Sequence, residues 1–167
     1  SGYLVTYDFD NNKPTLSTML MQDITLRHFQ NINAHHVIVA LDSCSAGMAL
    51  PTYQGIKIDE DRIKEFRTLS IIRGDTEEPA RNVLVAGTGE QRALWENGGI
   101  FTKSLISGLK GDADYNKDGI IQFAELTLFV KNEVRVKASE TGVVQEPDDF
   151  QFNKFGNGNI LFLTPSK

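Results

Sequence analysis

The chain has 167 residues, 40% of them hydrophobic and 23% charged, with a formal net charge of -5. These values describe an ordinary globular chain with room for one core, and the acidic balance argues against phosphate-backbone binding as the main task. No stretch approaches the roughly 18 apolar residues of a membrane span, so neither nucleic acid nor a membrane is an expected partner.

The chain opens "SGYLVTYDFD" without a start methionine, which points to a boundary or processing cut upstream. "GYLVTYD" reads as a short strand. Residues 15–29 put Leu16, Met19, Leu20, Ile24 and Phe29 near one helical face. "HVIVALD" is short, apolar and β-branched, the pattern of a strand buried on both faces. Residues 48–79 are polar and irregular around "KIDEDRIKEFR" and read as a long surface loop.

"NVLVAGT" is a second buried strand, and "GIFTKSLISGL" is helical. In "FAELTLFVKNEV", Phe123, Leu126, Val130 and Val134 share one helical face. After a loop containing Pro147, "NILFLTP" reads as the last strand. Strands alternating with helices predict an α/β fold, a mostly parallel β-sheet flanked by helices on both faces. Such sheets collect functional groups in loops beyond the carboxyl ends of their strands.

The only cysteine, Cys44, falls at that edge, between Ser43 and Ser45 and three residues before Gly47. A single cysteine rules out an intrachain disulfide and a cysteine-rich zinc site, and suits a reduced, cytoplasmic setting. As a nucleophile it would attack as its thiolate and needs a neighbouring base or positive charge. Ser45, Ala46 and Gly47 would let a substrate backbone come close, with turn N–H groups as an oxyanion hole. A small, buried, inert cysteine fits the same position.

A second motif is "DYNKDGIIQFAE", residues 114–125, which matches the EF-hand calcium loop. Asp114, Asn116 and Asp118 fill the first three ligand positions, and Gly119 the sharp turn. Ile120 offers its carbonyl, Gln122 acts through water, and Glu125 closes as the bidentate ligand. Hard oxygen donors at this spacing suit Ca²⁺. The other reading is a loop that only shapes a helix–turn–helix.

"VIVALDSCSAG" resembles the nucleophile strand of the caspase-like cysteine peptidases, in their metacaspase and bacterial caspase-like branch. "GYLVTYDFD" is similar to the segment after that family's catalytic histidine. "VLVAGTGEQRALW", "GGIFTKSLISGLKGDADYNKDGIIQFAEL" and "GNGNILFL" follow its small-subunit half in order. The resemblance implies a caspase-like sandwich. It divides the chain into the end of a large-subunit-like part at 1–50, an intersubunit loop at 51–80 and a small-subunit-like part at 81–167.

It also implies a Cys–His dyad that cleaves peptide or protein substrates, with Cys44 as nucleophile. Caspase histidines lie about 50 residues upstream of the cysteine, farther than this chain extends before Cys44. His28 ends the first helix, and His35 and His36 precede the nucleophile strand, roughly 20 Å from its far end. The expected base is therefore a histidine on an N-terminal large-subunit fragment, and the chain alone should be inactive. Asp42 would select arginine or lysine before the scissile bond through charge-assisted hydrogen bonds, assisted by Glu90; the other reading of Asp42 is a strand-end carboxylate that caps backbone amides. In that family the intersubunit loop is a place for self-cleavage, and here it carries Lys57, Arg62, Lys64, Arg67 and Arg73. "SIIRGDTEEP" around Arg73 reads as accessible, the other reading being a solvated linker. Asp8 and Asp10 could contribute to a separate calcium site. The rival readings are a pseudopeptidase or calcium-responsive binding fragment, and a small-molecule hydrolase or thiol transferase. The last lacks any phosphate loop or cofactor fingerprint.

Overall fold

The computed structural model describes residues 3–5, 9–13, 18–43, 46–50, 76–88, 94 and 98–165. In chain order the strands are β1 (Tyr3–Val5), β2 (Thr18–Leu20), β3 (His36–Leu41), β4 (Ala80–Val85), β5 (Ile120–Gln122), β6 (Asp148–Gln151) and β7 (Leu161–Leu163). The α-helices whose bounds are described are α1 (Met21–Asp23), α2 (Phe29–Asn31), α3 (Ile100–Ser107) and α4 (Phe123–Glu140). A π-helical turn at Ile24–His28 joins the first two, and another at Gly108–Asp112 extends α3.

The main sheet has the order β3-β4-β6, with β3 parallel and β6 antiparallel to β4. The fold is thus mixed α/β. Its described sheets are mixed rather than mostly parallel, because β1–β2 and β5–β7 are also antiparallel pairs.

All six residues of β4 are buried, and alternation sends them to two cores. Ala80, Leu84 and Ala86 face Ile100 and Phe101 of α3 and Phe123, Leu126, Val130 and Val134 of α4. Val83 and Val85 face Phe29, Ala46 and Phe152 on the other side. The apolar face expected for "FAELTLFVKNEV" is therefore the one that α4 buries.

β3 departs from expectation. Its residues are half-buried and Ala40 is exposed, because β4 covers one edge and no described strand covers the other. The helix expected over 15–29 is also shorter, since Thr18–Leu20 pairs with β1 and the helix starts at Met21. Long-range pairing overrides the local 3.6-residue pattern there. The buried stripe is then Met21, Thr25 and Phe29, four residues apart, whereas Met19 is exposed.

Arg81, buried in β4, secures the approach to β3. Its guanidinium donates to the carbonyls of Ile32, Ala34 and His35 at 3.2, 2.5 and 2.7 Å. No described helix is long and apolar enough to cross a membrane.

Candidate functional site

Parallel pairing aligns the carboxyl ends of β3 and β4, with Leu41 opposite Val85. Beyond that pair the Ala86 N–H donates to the Leu41 carbonyl at 2.9 Å, and the Gly47 N–H to the Gly87 carbonyl at 2.9 Å. The Ala46 N–H donates to the Ser43 carbonyl at 3.2 Å. The segments flanking Cys44 are thus tied to the end of β4. Cys44 itself lies outside the described residues, as do Glu90, Asp8 and the five basic residues of the long loop.

Asp42 leaves β3 toward the first turn of α3. Its Oδ2 accepts from the Thr102 hydroxyl at 2.5 Å and from the Thr102 backbone N–H at 3.3 Å. Thr102 is the third residue of α3, so a remote carboxylate caps an amide that the helix leaves unpaired. The helix dipole favours the negative charge at the same end. A Cβ on Gly99 would stand 2.0 Å from Asp42 Oδ2, so any larger residue there requires the carboxylate to give way. Oδ1 accepts no hydrogen bond from a described residue.

The histidines lie elsewhere. His36 begins β3, with its Nε2 3.1 Å from the Glu78 carbonyl, and His35 precedes it. Along β3, Asp42 is six residue steps from His36, about 20 Å at 3.3 Å per residue. His28 is exposed at the end of its π-turn. Asp10 bonds its own neighbour, accepting from the Asn12 N–H at 2.8 Å.

The 114–125 loop is fully described. Asp114 accepts from the Gly119 N–H at 3.0 Å and the Asp118 N–H at 3.2 Å. Asn116 Oδ1 accepts from the Asp118 N–H, and Asp118 Oδ1 from the Ile120 N–H at 2.8 Å. Gly119 has φ 86°, the left-handed region that glycine adopts without strain. Glu125 is wholly buried at the start of α4. Its Oε2 accepts from the Gln122 N–H at 3.0 Å, while Oε1 is buried without a hydrogen-bond partner.

Burial pushes the Glu125 carboxyl above its usual range. The Gln122 amide opposes this, Asp118 and Asp114 add to it, and the Tyr115 amide lowers it slightly. Among the described residues no three His, Cys, Asp or Glu side chains stand close enough to hold a metal as they lie.

Sequence reasoning missed three features. Thr102 and Gly99 carried no signal beyond membership of a helical segment. Buried Gln145 bridges the loop after β4, donating to the Ala86 carbonyl at 2.8 Å and accepting from the Leu94 N–H at 2.8 Å. Asp148 and Asp149 of β6 both meet Lys131 of α4, Asp148 at 3.2 Å. Burial raises the Asp149 carboxyl above its ordinary value, Lys131 opposing it and Asp148 adding to it. The adjacent acidic pair was the visible sign of that last cluster.

No protein-family model matches the chain, and neither a curated protein nor a solved structure matches it.

Proposed function

We propose that this chain is the nucleophile-bearing part of a caspase-like cysteine endopeptidase that cleaves after arginine or lysine. The observation that supports this best is the state of Asp42, two residues before Cys44. Its Oδ2 is fixed on the first turn of α3, and its Oδ1 takes no hydrogen bond from a described residue. A carboxylate oriented in this way can receive a guanidinium or ammonium group through charge-assisted hydrogen bonds. It stands at the strand edge where α/β proteins gather their chemistry.

In this reading a histidine outside the chain takes the Cys44 thiol proton. The thiolate then bonds the scissile carbonyl carbon, and the peptide C–N bond breaks as the imidazolium protonates the leaving amine. Water, deprotonated by the same histidine, next hydrolyses the thioester and restores the thiol. Glu90 would add negative charge to the pocket. Cleavage of the chain's own 51–80 segment at Arg73 follows from the same preference, and a free thiolate suits a reducing, cytoplasmic setting.

The remote positions of His35 and His36 support a second reading, a pseudopeptidase that binds without cutting. No described strand pairs with the second edge of β3, where a histidine-bearing segment would add under either reading.

Intact mass of the purified protein, including any accompanying peptide, followed by turnover of Arg-, Lys- and Asp-fluorogenic peptides, tests both. Turnover of the basic peptides alone, lost in Cys44→Ala, is the expected result. Turnover that survives Cys44→Ala sinks the peptidase reading. A histidine-bearing companion with no turnover favours the binding module.

A further inference from the structure

The loop at 114–125 holds a carboxylate that its surroundings do not explain. Glu125 is 0% exposed, and its Oε2 is accounted for as a helix cap on the Gln122 N–H. Its Oε1 is also buried and makes no hydrogen bond, the Tyr115 amide acting on the carboxylate only weakly. An orphaned buried carboxylate oxygen is costly, and this one belongs to the same twelve-residue loop as Asp114 and Asp118. A helix cap alone would need one oxygen, set away from other acids.

The strand pairing supplies a second donor. Residues 119–123 run antiparallel to 160–164, with the Thr164 N–H bonded to the Gly119 carbonyl and the Phe123 N–H to the Ile160 carbonyl. Hydrogen-bonded pairs alternate along such a ladder, so Ile121 is bonded to Phe162 while Ile120 faces away from β7. The Ile120 N–H accordingly points back into the loop, onto Asp118 Oδ1, and its carbonyl lies on the same side. β7 thereby pins the backbone that a second, paired loop would otherwise hold.

From these observations we infer that residues 114–125 form a binding site for a hard divalent cation of the calcium class. Asp114, Asn116, Asp118, the Ile120 carbonyl and Glu125 are its oxygen donors. Glu125 is the closing ligand, and its carboxylate turns from the Gln122 amide toward Asp114 and Asp118 when the ion binds. That movement explains why the three carboxylates do not yet converge. The all-oxygen set, two of its donors (Asn116 and the Ile120 carbonyl) being neutral, suits Ca²⁺ better than a transition metal. This inference does not depend on the peptidase reading.

The test is titration of the chelator-stripped protein with CaCl₂ by calorimetry, with MgCl₂ in parallel. Terbium luminescence sensitised by Tyr115, an exposed residue inside the loop, gives an independent signal. Wild type should bind one Ca²⁺ with a Kd on the order of 10⁻⁴ M or tighter. Glu125→Gln should weaken binding at least tenfold while keeping the helical circular dichroism. Asp114→Asn, at a partly exposed position, should do the same if Glu125→Gln fails to fold. Absence of saturable binding up to about 10 mM Ca²⁺ in folded wild type overturns the proposal. So does unchanged affinity in a folded Glu125→Gln, which would leave Glu125 a helix cap and nothing more.

Discussion

Asp42 and Glu125 each spend one carboxylate oxygen on a backbone amide at a helix start, and they differ in what becomes of the other. Asp42 is only half-buried, and its Oδ1 can be solvated until a ligand arrives. Glu125 is sealed from water with its Oε1 unpartnered, so the folded protein carries a standing cost that a cation would relieve. The partners of Asp42 come from 60 residues away, whereas the whole Glu125 loop lies within one short segment. A solvated acid can serve selectivity with little effect on stability. A buried one couples its ligand to folding.

Asp149 has a side chain buried much as Glu125 is, but with a cation built beside it. Its side chain is 6% exposed and meets Lys131, itself 23% exposed. Removing the cation in Lys131→Met should cost about 2 kcal/mol or more, because it leaves Asp149 buried and unpaired. Denaturant unfolding checks this. A loss under about 0.5 kcal/mol, the level of a surface substitution, would mean that burial of a lone acid is cheap here, and the contrast with Asp42 would collapse.

Gly99→Ala attacks the other region. A Cβ 2.0 Å from Asp42 Oδ2 must push the carboxylate off α3 or shift the helix start. The expected loss is about 1–2 kcal/mol, that of the two Thr102 hydrogen bonds the displaced carboxylate gives up. Thr102→Val is gentler, removing the 2.5 Å hydroxyl bond and keeping the backbone donor. It should cost about 1 kcal/mol in stability. Under the proposed function it should also raise KM for arginine peptides more than it lowers kcat. An unchanged KM in a folded Thr102→Val would separate the α3 contact from substrate selection.

How far the sequence revealed these regions follows from the same difference in range. The Glu125 loop was legible because its donors sit at fixed spacing in one run, and α4 because Phe123, Leu126, Val130 and Val134 repeat on one face. β3 and β4 were legible as β-branched runs ending at Asp42 and Gly87. The grip of Thr102 on Asp42 was not, since nothing local marks a contact across 60 residues. β2 was hidden because Met19 and Leu20 also satisfy a helical period, and only β1 decides between the two. β6 was hidden because "DDFQ" reads as a polar loop until Lys131 is brought against its two acids.

The smallest expected effect is the pH dependence that Asp149 contributes. Burial raises its carboxyl above the ordinary aspartate value of 3.8 and outweighs the attraction of Lys131. The folded state therefore holds this proton more tightly than the unfolded chain. Its contribution to stability is full below 3.8 and is lost as pH rises through the elevated folded value. Unfolding free energies of wild type and Asp149→Asn across the mildly acid range isolate it: the wild type should lose ground to the variant as pH rises. The opposite slope would show that Lys131 overcomes burial. Glu125 would then differ from Asp149 only in lacking such a cation, which is the difference that calcium titration measures directly.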